Sequence, residues 1–140
     1  MEQEVYEKLS AAVQCREKMT KVGAQIQELY YRLLPSGIDY TKDRVQSSPS
    51  DQMAEYGARL DELSRTYEEL CSEYQPAMER VRKYIDDNLE DHRMRLVLDL
   101  KYVSGLKWKD VAIKSSYAQS TVYKIHAQAI EILEDKSRAK

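Results

Sequence analysis

A chain of 140 residues has room for one ordinary domain, or for a small domain carrying a helical extension. Charged residues make up 33%, Phe is absent while Tyr numbers 11, and four Gly with three Pro favour long helices over a loop-rich β fold. The net charge of −2 divides unevenly: residues 1–90 carry 12 Lys+Arg against 18 Asp+Glu, and residues 91–140 carry 10 against 6.

No apolar run approaches the roughly 20 residues a membrane span needs, so no membrane partner is expected. Met1-Glu-Gln-Glu-Val5 has neither a basic stretch nor an apolar core, and no secretory signal is expected. Cys15 and Cys71 make no disulfide framework. The expected location is cytoplasmic.

The first predicted helix runs from Met1 to about Leu34, with Val5, Leu9, Ala12, Met19, Ile26, Leu29 and Leu33 at threes and fours. The stripe is weak at Arg16 and Gly23. Pro35-Ser-Gly37 ends it, and a connector without helical period occupies 35–50. Ser50 or Asp51 can cap the next helix. Its apolar positions, Met53, Tyr56, Leu60, Leu63, Tyr67, Leu70, Tyr74, Ala77, Val81 and Tyr84, alternate three and four and make a heptad seam. Pro76 lies inside that seam. A proline there removes a hydrogen bond at a cost of roughly 3 kcal/mol, so a break or kink is expected near 74–76. Residues 86–91 read as a short acidic joint.

A helix from about His92 to Val103 follows, with Leu96, Val97, Leu100 and Val103 on one face and Ser104-Gly105 as its stop. Two more helices are predicted, roughly 108–114 and 119–134, before a frayed tail at 135–140. Within the window 108–127, Val111 and Ala112 fall fourth and fifth, Tyr117 tenth, Val122 fifteenth and Ile125 eighteenth. Those are the inward positions of a helix-turn-helix, with a small residue where the two helices cross. The residues left outside, Gln119, Ser120, Thr121, Tyr123, Lys124 and Gln128, are the ones a DNA major groove would meet. Three positions depart from the pattern. Ser115 stands where an apolar residue is usual, Ser116 where the turn often has Gly, and Ala118 where a Ser cap is expected.

Other chemistry finds little support. Cys15, Cys71, His92 and His126 are scattered, without the short spacings of a metal set. Trp108 is expected to seal a small core, and the tyrosines of the middle helix to fill a heptad seam. No Gly-rich phosphate loop and no paired nucleophile and base occur, so neither catalysis nor a cofactor is expected.

The stretches Arg95-Leu-Val-Leu-Asp-Leu-Lys-Tyr-Val-Ser-Gly105, Trp108-Lys-Asp-Val-Ala112, Tyr117 and Ser120-Thr-Val-Tyr-Lys-Ile-His126, with Ala129 and Leu133, resemble region 4 of bacterial sigma factors. They are closer still to small phage and prophage proteins built on that module, the ArpU-like and RinA-like late transcription regulators. The stretch 39–48, with Asp51, Met53, Ala54 and Glu55, is similar to an uncharacterised family of that group, so the likeness covers roughly 35–134. It implies a sequence-specific DNA binder that regulates phage or prophage transcription in a bacterial host cell, with RNA polymerase as a further partner. Carried over by position, the recognition helix is 119–133, and Lys107, Lys109 and Lys114 serve phosphates. Thr121 and Tyr123 stand where sigma region 4 is richer in arginine, so its promoter specificity does not transfer.

The expectation is an all-α protein: an N-terminal helical hairpin or coiled coil over 1–90, then a tri-helical helix-turn-helix domain over 91–140. One such module buries little surface, so a homodimer or higher oligomer through residues 1–85 is expected on double-stranded DNA. Two alternatives stand beside this reading. One is a phage terminase small subunit that packages DNA, and the other is a helical adaptor that binds protein and no DNA.

Overall fold

The computed structural model describes residues 1–33 and 49–139, and among them all regular structure is helical. Helix α1 spans Gln3–Leu33 and α2 spans Pro49–Asn88. Helix α3 (His92–Leu98) runs into a π-helical turn, Asp99–Val103, and is followed by α4 (Trp108–Ser115) and α5 (Gln119–Arg138). No described helix is long and apolar enough to cross a membrane. The expected connector lies outside the described residues except for its last two positions, which open α2. Proline suits a helix start, where its missing N–H has no partner to lose.

Contacts divide the chain into two compact units. One combines Met1–Arg16 with Glu73–Lys140, and the other is Glu17–Ser72. The division falls elsewhere than the 90/91 boundary expected from charge and period.

The first unit is built on a core that joins sequence-distant segments. Val5, Leu9 and Ala12 of α1 pack with Ala77, Val81 and Ile85 of α2, and both sets meet Ala129, Ile130 and Leu133 of α5. Leu89, Leu98 and Val103 complete it. Leu9, Ile85, Leu89, Leu98 and Leu133 are each under 2% exposed, and each such side chain contributes about 1.5–3 kcal/mol by leaving water. A second, smaller core of Val97, Val111, Val122 and Ile125 holds α3, α4 and α5 together, with Trp108 and Tyr117 packed against it.

Polar contacts fix the joints between these helices. Asp91 caps α3 by accepting the Arg93 N–H at 2.8 Å, and the Arg93 side chain with that bond holds the Asp91 carboxyl below its usual range. The last turn of α2 carries no basic residue of its own. Its carbonyls are met instead by Arg95, which donates to Leu89 and Asp86, and by Lys136, which donates to Asn88 at 2.6 Å. Cations from α3 and α5 thereby complete the negative end of α2. At the far end of α5, Arg138 pairs with Glu2 at 2.6 Å, Ser137 donates to Glu4, and the Glu2 N–H donates to Glu134 at 2.7 Å.

Several expectations are corrected. Of the break or kink expected at 74–76, the break does not occur, and helix α2 continues through Pro76. The proline lacks the N–H that would bond the Ser72 carbonyl, but Ala77, Val81 and Ile85, just beyond it, are buried, and that burial offsets the lost bond. The joint expected at 86–91 shortens to 89–91, because α2 runs to Asn88 and Leu89 is buried. The helix expected over 92–103 changes to π geometry at Asp99, with the Ser104 N–H bonding the Asp99 carbonyl at 3.0 Å. Leu96, expected on the inner face, is 40% exposed. The tail expected to fray is helical to Arg138, held by the bonds to Glu2 and Glu4.

The second unit contains 17–33 of α1 and 49–72 of α2. Gly23 lies under the Tyr67 ring, where an added Cβ would stand 3.7 Å from it. Arg32 bonds Tyr56 on the other helix and Glu28 on its own, the latter at 2.9 Å. Among the described residues of this unit only Leu29 is buried; Leu60, Leu63, Tyr67 and Leu70 of the seam are half-buried and Met53 is exposed.

Candidate nucleic-acid interface

Helices α4 and α5 are joined by the turn 116–118, and the three departures seen in the sequence lie in it or just before it. Ser115 is buried, and its hydroxyl replaces apolar packing with two bonds, donating to the Ala112 carbonyl at 3.2 Å and accepting the Tyr117 N–H at 3.4 Å. Ser116 has φ 64° and ψ 23°, the left-handed conformation that favours glycine. Ala118 precedes α5 in extended conformation and supplies no side-chain cap.

Beyond the turn, α5 has two distinct sides. Val122, Ile125, Ala129, Ile130 and Leu133 face the cores. The opposite side carries Ser120, Lys124 and Gln128 at fours, all exposed. Gln119 and Tyr123 flank this strip on one side and are also exposed, with the Gln119 amide donating to the Tyr123 hydroxyl at 2.9 Å. Thr121 lies on the other flank and is half-buried. One turn past Ala127 the same side carries exposed Glu131, which confines the uncharged and cationic surface to the first turns of the helix.

The α4 lysines are all exposed but do not share one strip. Lys107 precedes the helix, and Lys109 and Lys114 project about 140° apart at 3.6 residues per turn, on either side of buried Val111 and Ser115. Exposed Ile113, at 67%, lies between them. Of the nine residues singled out in sequence, the structure therefore gathers Gln119, Ser120, Tyr123, Lys124 and Gln128 on one side of α5, and spreads the three lysines around α4.

Behind Tyr123 is a cluster that sequence reasoning did not assemble. Trp108 meets the Tyr123 ring edge-on at 5.2 Å and the His126 ring at 4.8 Å. The Lys101 ammonium sits 4.5 Å from the indole centre and donates to the Leu106 carbonyl at 3.3 Å; burial lowers its pKa. His126 Nε2 is 2.7 Å from the Tyr102 hydroxyl. Burial, with a smaller effect from Lys101, lowers the His126 pKa to about 4, and burial raises that of Tyr102 to about 12. The bond therefore joins a neutral phenol to a neutral imidazole. Tyr102 and His126 are 24 residues apart in different elements, and no local period links them.

The chain matches no protein-family model, no curated protein and no solved structure.

The site is thus defined by its own geometry. The first turn of α5 has neither an acidic residue nor a side-chain cap, so no side chain of that turn offsets the positive end of the helix dipole. Such an end suits a phosphate. The described residues bring together no group of three or more His, Cys, Asp or Glu able to hold a metal ion.

Proposed function

We propose that α3, α4 and α5 form a helix-turn-helix that binds double-stranded DNA, with 119–133 as the recognition helix in the major groove. The observation that carries this reading is the side of α5 bearing Ser120, Lys124 and Gln128, exposed above a helix whose other side is locked into two cores. Polar side chains at the start of such a helix read base edges, while Lys107, Lys109, Lys114 and the uncapped N-terminus of α5 take phosphates. The surplus of 10 Lys+Arg over 6 Asp+Glu in 91–140 agrees in sign. The biological role that fits is a transcription regulator of phage or prophage genes acting in the cytoplasm of a bacterial host, with RNA polymerase as a second partner. Pairing of two chains supplies two recognition helices and the surface that one lacks.

Footprinting on fragments of the surrounding genome at two salt concentrations tests the reading. Protection of a defined repeat at the higher salt supports it, and absence of binding at either salt overturns it. Lys124→Ala is expected to weaken binding and to reduce the salt slope by about 1 if Lys124 meets a phosphate.

One observation favours a second reading, a helical adaptor that docks protein: Ile113 is 67% exposed between the α4 lysines. That reading predicts DNA affinity indifferent to Lys124→Ala, and loss of a protein partner on Ile113→Asp.

A further inference from the structure

Two of the residues gathered on one side of α5 are bonded to each other and braced from behind. Gln119 and Tyr123 lie one helical turn apart, and the Gln119 amide donates to the Tyr123 hydroxyl at 2.9 Å. The Tyr123 ring has a support of its own. Trp108 of α4 meets it edge-on at 5.2 Å, and the indole is held in turn by the His126 ring at 4.8 Å and by the Lys101 ammonium, 4.5 Å from its centre. Both Gln119 and Tyr123 are nonetheless exposed. A polar pair fixed in this way before a ligand arrives loses less side-chain freedom on binding one.

The bond to Tyr123 also limits what the amide can read. A glutamine amide has two N–H donors and one carbonyl acceptor. One N–H is taken up by the phenol oxygen, which leaves one donor and the acceptor. In the major groove adenine presents one acceptor, N7, and one donor, the N6 amino group, and so matches what is left. Guanine presents two acceptors, N7 and O6, and would need both N–H groups. Cytosine and thymine each offer a single polar group there, and one bond at most.

We infer that Gln119 reads an adenine in the major groove, and that Tyr123, itself held by Trp108, is the positioning residue that denies guanine the second N–H. The inference rests on the DNA reading proposed above and names the base that this side of α5 recognises.

The test is selection of bound sequences from a pool of random-sequence duplexes by the full chain, followed by competition between selected duplexes that differ at one position. The wild type is expected to enrich an A·T pair at a fixed position, and G·C in its place is expected to weaken binding about tenfold. Gln119→Ala is expected to erase the preference at that position and at no other. Tyr123→Phe keeps the ring against Trp108 and removes only the hydroxyl, so discrimination against guanine is expected to fall to about twofold while thermal melting of the protein is unchanged. Selected sequences whose preferences survive Gln119→Ala overturn the inference and leave the DNA reading standing. A Tyr123→Phe variant that keeps full discrimination, or that weakens on every duplex alike, overturns the positioning role. A pool with no enrichment at low salt removes the DNA reading itself, and this inference with it.

Discussion

The imidazole of His126 lies between the Tyr102 phenol and the edge of the Trp108 indole, and its charge state is coupled to folding. In the unfolded chain a histidine takes its proton near 6.5; in the folded unit burial delays this to about 4. The contribution of the neutral ring is therefore complete above 6.5 and is lost progressively as pH falls from 6.5 towards 4. Urea midpoints are expected to drop between pH 7 and pH 5, and to drop less in His126→Gln. An equal drop in both would show that carboxylates dominate. Two backbone positions carry opposite predictions. Ser116 has φ 64°, so Ser116→Gly is expected to stabilise by about 1 kcal/mol in urea titration. Gly105 has φ +70°, and a Cβ there would approach the Arg16 guanidinium to 2.7 Å while that group bonds the Ser104 carbonyl. Gly105→Ala is expected to destabilise by about 1–2 kcal/mol, mostly through the backbone, because the arginine tip can yield.

At the scale of elements, the uncapped start of α5 separates stability from function. Ala118 already has cap geometry, φ −63° and ψ 149°, and is exposed. Ala118→Asp is expected to raise stability by about 1 kcal/mol, and to lower DNA affinity about fivefold by placing a carboxylate where a phosphate would lie. A gain in both would count against DNA at this helix end. The same elements show what the sequence makes legible. The periods of α1, α2 and α5 were readable because 3.6-residue spacing is a local property, and the stop at Gly105 was readable because few residues tolerate its φ. The continuity of α2 through Pro76 was not, since the cores that outweigh the lost bond include Leu9 and Leu133, far away in sequence. Nor was the order of 135–138, which depends on Glu2 and Glu4. Of the candidate site, the exposed strip of α5 follows from period alone, while the cluster of Lys101, Tyr102, Trp108 and His126 arises only when three elements meet.

For the whole molecule, the compact unit that contains α3 to α5 also needs the start of α1 and the end of α2. A fragment starting at residue 91 would strip Val5, Leu9, Ala12, Ala77, Val81, Ile85 and Leu89 from the larger core. It is expected to show weak helicity and no cooperative melting, where the full chain melts in a defined transition. Leu9→Ala is expected to cost about 2–5 kcal/mol and to loosen amide protection in α5, more than 100 residues later in the chain.

The pairing of Glu2 with Arg138 also sets a timetable for synthesis. The first turns of α1 leave the ribosome long before α5, the surface that covers them, has been made. At ordinary elongation rates that wait is on the order of ten seconds. Throughout it Val5 and Leu9 lack their α5 neighbours, and the larger core cannot close until Ala129, Ile130 and Leu133 have been made. The unit closes only when α5 folds back onto the first turns of α1.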